Sequence, residues 1–214
     1  MQSDLVLYGN TPLTSPYVMS VFVGLEEKGL PFRLELLDLG KNEQHQPDFV
    51  AHSITNRVPT LRHGEVWISE SLAILEYLEE QFAPPGHPRL YPLSAVERAR
   101  VRMAQGLLRS DFMPIREERP TESIFQGAAI RPLSEKAEAA RIRLIRIATA
   151  LIGTRRSIAS DFSIADVDLA VMLQRLVHNA DPVPDPLVDY TRAIWQRPSL
   201  QKWLVLTRYR APVS

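Results

Sequence analysis

A proline-rich stretch, APPGHPRLYP at residues 83–92, limits the fold of this chain more than any other feature of its sequence. Four prolines and one glycine in ten residues interrupt helices and central strands alike. Before this stretch apolar residues recur with the periods of both strands and helices, and after it with the helical period alone. The 214 residues therefore divide into three predicted parts: a mixed α/β domain (1–83), a linker (84–92) and an all-helical domain (93–214).

The beginning of the mixed domain predicts a βαβ unit. A short apolar run, LVLY (5–8), is typical of a buried strand, and FRLELL (32–37) alternates apolar and polar residues as a half-buried strand does. Between them, Pro16 suits the first position of a helix that ends before Gly29. Its apolar residues follow helical spacing: Val18, Val21, Phe22 and Leu25. Two strands joined in this way through a helix are expected to be parallel.

The rest of the mixed domain predicts a hairpin and a second helix. Residues 41–56 are polar and irregular, and VPTLRHGEVWI (58–68) contains two strand-like runs around His63-Gly64. SESLAILEYLEEQF (69–82) has helical spacing. The apolar residues on one face of this helix are Leu72, Leu75, Leu78 and Phe82. The predicted order of the domain is β-α-β-loop-β-β-α.

Helix start and stop signals recur through the second half of the chain. Ser94 and Glu97 have the spacing of a capping box and predict a helix that ends before Pro114. Ser134 opens another helix, rich in alanine and arginine, that runs to about Ile152. Later prolines separate further helices, so this half is predicted to be all-helical.

The balance of charge argues against a nucleic-acid partner. The chain carries 25 basic and 25 acidic side chains, whereas a nucleic-acid-binding protein is expected to show a basic stripe. The charge is divided unevenly: residues 1–83 carry 5 basic and 12 acidic side chains, and residues 84–214 carry 20 and 13. The opposite signs suggest two domains of different character.

The sequence contains no cysteine, which excludes a disulfide framework, thiolate metal ligands and a catalytic thiol of the protein's own. We expect no metal centre. The N-terminal MQSDLVLYGN lacks the basic and apolar segments of a signal peptide, and no stretch approaches the ~20 apolar residues of a membrane span. We therefore expect a cytoplasmic protein without a membrane partner.

The stretch TSPY (14–17) places a hydroxyl group at the start of the first helix. Unpaired N–H groups and the positive end of the helix dipole lie there, so the hydroxyl could donate to an anion such as a thiolate. The alternative is an ordinary helix cap, which is worth about 1 kcal/mol.

Two further stretches, RVP (57–59) and SES (69–71), could also bind a ligand. A proline at a strand entry can leave the preceding N–H and C=O free to pair with an extended peptide; the alternative is an ordinary strand start. Ser71 and the N–H groups of the next helix could bind a carboxylate, and Glu70 an ammonium, as in an α-amino acid. The alternative there is a cap with an acidic first turn.

The order of these stretches along the chain resembles the cytosolic glutathione transferases. The segments that resemble this family, and in particular its bacterial YfcF-type branch, are SPYVMSVFVGLEEKGLPF, RVPTL, SESLAILEYLEEQFAPP, RLYPL, LLRSDFMPIREERPT and RLVHNADPVPDPLVDY. The resemblance implies an N-terminal thioredoxin-like domain that binds glutathione. It also implies an all-helical C-terminal domain that supplies much of the site for an apolar second substrate.

The resemblance assigns roles to individual residues. Ser15 would hydrogen-bond the glutathione sulfur and favour its thiolate, and Val58 would pair its main chain with the cysteinyl backbone. Glu70 and Ser71 would hold the γ-glutamyl ammonium and carboxylate. The full set of glutathione-binding residues that it implies is Ser15, His45, Arg57, Val58, Glu70 and Ser71, with Arg57 and His45 facing the glycyl carboxylate.

Two other residues are alternatives to Ser15 as the hydroxyl that contacts the glutathione sulfur. Relatives that use serine place it one or two residues before the equivalent of Pro16, so Thr14 is an alternative. Tyr8 is another, because tyrosine-type relatives use a tyrosine near the end of the first strand. Other classes carry a catalytic cysteine at the position of Ser15, so thiol transfer through a protein mixed disulfide is excluded here.

Two segments of the helical half resemble the family as well. FSIADVDLA (162–170) looks like its core-helix motif, and Ser163 and Asp166 have the spacing of a capping box, so we expect a folding element. The charged residues of LLRSDFMPIREERP could line a cleft between the domains; the alternative is a solvated helix face. They are Arg109, Asp111, Arg116 and Arg119.

The function that the resemblance implies is that of a glutathione S-transferase. Its activated thiolate would attack small apolar electrophiles or reduce organic hydroperoxides, in detoxification and the response to oxidative stress, and such proteins are commonly homodimers. The alternative is a non-catalytic protein that keeps the fold for binding or stress regulation. A glutaredoxin-like reductase is excluded, because the chain has no cysteine.

Overall fold

A computed structural model describes residues 4–127 and 131–210, whose contacts form two compact units. The first unit contains the residues up to Leu90 and those from Lys202 onward, and the second is Tyr91–Gln201. The sequence predicts that the last helix belongs to the helical domain. In the structure, the chain from Lys202 onward belongs instead to the first unit. In this part of the chain the Trp203 indole lies edge-on to Phe22 of the first unit, with ring centroids 5.3 Å apart. The predicted domain boundaries stay predictions.

A four-stranded sheet forms the centre of the first unit. Its strands, in spatial order β2-β1-β3-β4, are β1 (Leu5–Thr11), β2 (Arg33–Asp38), β3 (Thr60–His63) and β4 (Val66–Ser69). β1 pairs in parallel with β2, and β3 pairs antiparallel with both β1 and β4. The predicted βαβ unit and the tight hairpin after His63 are both confirmed, with Gly64 at φ +56°.

The first helix, α1 (Pro16–Glu27), begins and ends as the sequence predicts. Pro16 lies in its first turn, and the Ser15 hydroxyl accepts the Val18 N–H at 3.3 Å. Lys28 caps its C-terminus, and Gly29 follows at φ +64°, a conformation that glycine adopts without strain.

Two helices lie against the same sheet, α1 and α3 (Ser71–Gln81). The contact of α1 with β1 is close, because a Cβ atom at Gly9 would lie only 2.9 Å from the Val18 side chain. Between β2 and β3 the chain forms two 3-10 turns, Leu39–Lys41 and Glu43–His45, and the short helix α2 (Pro47–Val50).

A buried ion pair joins the ends of α1 and α3. Lys28 Nζ lies 2.9 Å from Glu79 Oε2 and donates to the backbone oxygens of Phe82 (3.0 Å) and Pro88 (2.9 Å). Glu79 Oε2 also accepts the Leu90 N–H at 2.8 Å. Both side chains are buried, so these partners compensate for the water that the charges lose. The ion pair therefore anchors the proline-rich stretch to the helices.

Glu79→Ala should lower the free energy of unfolding by about 3–5 kcal/mol, because it leaves the Lys28 ammonium buried without its carboxylate. Urea denaturation followed by circular dichroism measures the change. The control is Asp189→Ala, which breaks an exposed pair with Arg192 and is expected to cost less than about 1 kcal/mol. Equal losses in the two variants would contradict the role of the buried pair.

The second unit consists of helices, and within its described residues there is no strand. Its helices are α4 (Ala95–Ser110), α5 (Met113–Glu118), α6 (Glu135–Ile152), α7 (Ile164–His178), α8 (Asp185–Trp195) and the beginning of α9 (Pro198–Arg210), with a π-helical turn at Ser123–Gly127. No helix in the described ranges is both long enough and apolar enough to cross a membrane.

The helix starts predicted at Ser94 and Ser134 are confirmed. Each hydroxyl accepts the backbone N–H three residues later. The predicted capping box of α4 is not completed, because the Glu97 carboxylate accepts instead from the N–H (2.8 Å) and the hydroxyl (3.0 Å) of Ser160. Glu97 thus connects the start of α4 to the loop before α7.

The buried helix α7 carries the predicted capping box at its start. Eleven of its 15 residues are buried, and Asp166 Oδ2 accepts from the N–H (2.8 Å) and the hydroxyl (3.0 Å) of Ser163. Asp166 Oδ1 accepts from the Ile158 N–H and the Tyr190 hydroxyl, both at 2.8 Å. Burial raises the pKa of the Asp166 carboxyl, while these donors act to lower it. One carboxylate therefore connects α7, the preceding loop and α8.

Asp166→Ala should lower the free energy of unfolding by about 3 kcal/mol, because it leaves several buried donors without an acceptor. Tyr190→Phe removes one of those donors and should cost about 1 kcal/mol. Thermal melting measures both. The activity per folded molecule should be unchanged, and its loss at normal stability would contradict a purely structural role for Asp166.

Candidate functional site

The sheet brings the three predicted ligand-binding stretches to one edge. Tyr8 of β1 lies opposite Thr60, the first residue of β3, and Thr60 lies opposite Ser69, the last residue of β4. β3 runs antiparallel to both of its neighbours. The chain segments after β1, before β3 and after β4 therefore meet at this edge. These segments contain residues 12–15, 57–59 and 70–71.

Ser15 is half-buried and stands at the start of α1. Its backbone N–H donates to Asn10 Oδ1 at 3.2 Å, and its hydroxyl oxygen accepts the Val18 N–H. The hydroxyl hydrogen has no acceptor within residues 4–127 and 131–210. The group can therefore cap the helix and at the same time donate a hydrogen bond to an anion.

Asn10 holds the loop that leads to Ser15, and the sequence analysis missed this residue. Its buried side chain donates from Nδ2 to the Pro12 carbonyl at 2.6 Å and to Thr14 Oγ1 at 3.3 Å, while Oδ1 accepts from Ser15. An asparagine at a strand end, two residues before a proline, was the available signal, because such side chains bond the backbone of the turn that follows.

The geometry separates Ser15 from its two rivals. Thr14 is 4% exposed, and its hydroxyl accepts from Asn10, so it is turned into the protein. Tyr8 stacks on Trp67 with ring centroids 5.2 Å apart. Burial and the nearby Glu35 carboxylate raise the pKa of the Tyr8 hydroxyl. The position of its hydroxyl at the start of α1 favours Ser15, and the residue that contacts a thiolate stays a prediction.

The stretch before β3 presents unused backbone groups. Val58 is half-buried, and neither its N–H nor its C=O makes a hydrogen bond within the part of the chain that the structure describes. The Val58–Pro59 bond is cis, and Pro59 has no N–H to compete for an acceptor. Exposed Arg57 precedes them. The free donor and acceptor of Val58 suit an extended peptide ligand.

Glu70 caps α3 in a strained conformation. Its φ is +72°, which costs an L-residue free energy, and its carboxylate makes no capping hydrogen bond to the helix. The side chain is exposed, and Ser71 is buried at the first position of α3. A carboxylate beside the N–H groups of a helix start offers one place for a cation and one for an anion.

Other predicted residues lie elsewhere. His45 is exposed at the end of the second 3-10 turn, and among residues 4–127 and 131–210 no hydrogen bond or ion pair connects its side chain to the edge described above. In the second unit, Arg109 pairs with Asp168 at 2.8 Å and Asp111 with Arg143 at 2.5 Å.

The remaining charged candidates of the second unit also bond its own groups. Arg119 is buried and pairs with Asp181 at 2.6 Å, and Arg116 donates to the Leu108 carbonyl. All four of these charged side chains are therefore bonded to groups of the second unit itself. Within the described residues, no group of three or more His, Asp or Glu side chains is arranged to hold a metal ion.

Both halves of the chain match one family of known proteins. The profile "Glutathione S-transferase, C-terminal domain" matches residues 94–209, and "Glutathione S-transferase, N-terminal domain" matches residues 14–81. A glutathione transferase homologue from Burkholderia GL BGR1, solved with bound glutathione, is 38% identical with a TM-score of 0.78. That alignment covers 96% of this chain and 98% of the other.

Two plant proteins show how far the similarity extends. Glutathione S-transferase 3 of Zea mays is 28% identical over 221 residues, which cover 99% of this chain and 98% of the maize protein. Glutathione S-transferase 1 of Dianthus caryophyllus is 38% identical over 95 residues, and the chain spans only 42% of that protein's length. The predicted fold class, a thioredoxin-like domain followed by an all-helical domain, is confirmed.

The strain at Glu70 can be measured. Glu70→Gly should be more stable than Glu70→Ala by about 1–2 kcal/mol, because glycine adopts φ +72° without the penalty of a Cβ atom. The matched control is exposed Glu80 within α3, where the alanine variant should instead be more stable by about 1 kcal/mol. Urea denaturation of the four variants measures both differences. The same order at both positions would contradict backbone strain at Glu70.

Proposed function

Because the chain belongs to the glutathione S-transferase family, we propose that it is an enzyme that binds glutathione at the edge formed by β1, β3 and β4. The observation that carries this proposal is the set of unused groups there: the Ser15 hydroxyl hydrogen and the backbone N–H and C=O of Val58. The Ser15 hydroxyl can donate to the sulfur of glutathione, and the Val58 N–H and C=O can pair with the backbone of an extended tripeptide. The YfcF-type subfamily stays a prediction.

Each part of glutathione has a partner of matching chemistry. Val58 pairs with the cysteinyl backbone as an added strand would. Glu70 holds the γ-glutamyl ammonium, and Ser71 with the N–H groups of α3 holds the carboxylate. Arg57 faces the glycyl carboxylate, whereas the described residues show no contact that brings His45 to the same place. The strained backbone of Glu70 supports this assignment, since such residues cluster at binding sites.

Ser15 lowers the pKa of the glutathione thiol. A free thiol with a pKa of about 8.5 is only a few per cent ionised near neutral pH. A decrease of about two units requires roughly 2.7 kcal/mol of preferential stabilisation of the thiolate. A charge-assisted hydrogen bond from the Ser15 hydroxyl and the N-terminus of α1 are sources of that energy.

The activated thiolate attacks an electrophilic atom of a small apolar substrate. A sulfur–carbon bond forms, and the leaving group departs with the electron pair of the broken bond. With an organic hydroperoxide the thiolate attacks oxygen, the O–O bond breaks, and the alkoxide takes a proton. A second glutathione then attacks the oxidised sulfur, giving the disulfide and water. Since the protein has no cysteine, both thiols of that reaction come from glutathione.

We extend the proposal to assembly and location. The protein is a homodimer in the cytoplasm, like other members of its family, and analytical ultracentrifugation tests the dimer. The alternative is a non-catalytic protein that retains the fold for binding or stress regulation. Binding of glutathione without turnover of any electrophile or hydroperoxide would favour that alternative.

Calorimetric titration with reduced glutathione tests the site. Wild type should bind, and Glu70→Gln, which removes the charge but keeps the shape, should weaken binding about tenfold or more because the ammonium loses its charged partner. Ser15→Ala should still bind but lose the proton release that accompanies thiolate formation. That release is obtained by repeating the titration in buffers of different ionisation enthalpy.

Glu80→Gln is the control for the charge change, since Glu80 is an exposed residue of the same helix. It should bind as wild type does. No binding by wild type would overturn the proposed function. Unchanged binding by Glu70→Gln would overturn the assignment of Glu70 while leaving the function in place.

A further inference from the structure

We infer that three hydroxyl groups beneath the glutathione site position the backbone of Val58 and thereby set the affinity for glutathione. They belong to Ser53, Thr60 and Ser69, called here the hydroxyl cluster. This inference rests on the proposed function, because it explains how the protein holds the donor that pairs with the cysteinyl backbone. None of the three residues is assigned a contact with the ligand, so they act as positioning residues.

The hydroxyl cluster is a closed triangle of oxygen atoms. Ser53 Oγ lies 3.1 Å from Thr60 Oγ1 and 3.2 Å from Ser69 Oγ, and Thr60 Oγ1 lies 3.2 Å from Ser69 Oγ. Ser53 is 1% exposed and Thr60 is fully buried. Ser53 lies in the loop between α2 and β3, Thr60 opens β3, and Ser69 ends β4. The cluster therefore joins the two segments that carry Val58 and Glu70.

The hydrogens of the cluster are accounted for. Thr60 Oγ1 donates to the Arg57 carbonyl at 2.8 Å, so towards its neighbours it acts as an acceptor. The two serine hydroxyls then hold the two hydrogens left for the three contacts of the triangle, so at most two of these contacts are hydrogen bonds at one time. In a buried environment such linked hydrogen bonds strengthen one another, and a missing member leaves the rest unsatisfied.

The bond to Arg57 determines where the Val58 N–H points. The Arg57 carbonyl and the Val58 N–H belong to one planar peptide group and point in opposite directions. When Thr60 holds the carbonyl, the N–H is held as well, and it is this N–H that has no partner in the described structure. The peptide plane is thus oriented before the ligand arrives, which reduces the ordering cost of binding.

The inference is tested by a substitution that removes the Thr60 hydroxyl and keeps the shape of the side chain. Thr60→Val should raise the Kd of reduced glutathione about tenfold in calorimetric titration, because the peptide plane is no longer held. Thr60→Ser keeps the hydroxyl and should bind within about threefold of wild type. With the most active electrophile, the Thr60→Val effect should appear in the KM for glutathione and leave kcat within about threefold.

A matched control separates positioning from loss of stability. Thr191 in α8 makes the same type of bond, from Oγ1 to the Leu187 carbonyl at 2.8 Å, and is buried. Thr191→Val should lower the Tm as Thr60→Val does, yet leave the Kd for glutathione unchanged. Equal effects of both variants on the Kd would overturn the inference.

The remaining outcomes are also decisive. If wild type binds glutathione and Thr60→Val binds equally well, the inference fails and the proposed function stands. If wild type does not bind, the proposed function itself fails. Should Thr60→Val not fold, Thr60→Ala takes its place, since it also removes the hydroxyl that bonds the Arg57 carbonyl. An increase in Kd of about tenfold then supports the inference, and an unchanged Kd overturns it.

Discussion

The pairing of β1 with a strand on either side is the constraint on which the candidate site depends. Its parallel partner β2 is reached only through a crossover, which places α1 and its N-terminus directly after β1. Its antiparallel partner β3 begins where β1 is ending, so the backbone before β3 lies at the same edge. A different register would separate Ser15 from Val58, even if every helix and strand still formed.

At this edge the protein bonds most of its own polar groups and leaves a few unused. Asn10 holds the turn before α1, and Thr60 holds the carbonyl before Val58. The Ser15 hydroxyl hydrogen and the Val58 backbone have no such partner among the described residues. Because unsatisfied polar groups are costly once water is excluded, groups left unused beside well-bonded neighbours are the candidates for contact with a ligand.

The second unit uses its charges in a different way. Asp166, Asp168 and Asp181 accept hydrogen bonds from the buried or half-buried side chains of Tyr190, Arg109 and Arg119, which lie 24 to 62 residues away along the chain. These contacts connect helices that apolar packing alone would leave free to shift against each other. Arg109 and Arg119, which sequence analysis considered as site residues, bond Asp168 and Asp181 in this way, and their place in a site stays a prediction.

The sequence by itself determined the helix starts, the βαβ unit and the family resemblance. Capping hydroxyls, proline positions and apolar spacing act between residues a few positions apart, so Ser15, Ser134 and the box at Ser163 could be recognised directly. Only the tertiary structure decided which polar groups are used up and which stay available. Asn10, the hydroxyl cluster and the buried pair of Lys28 and Glu79 depend on contacts across turns and between elements. Such contacts follow from strand register and packing, which local spacing does not specify.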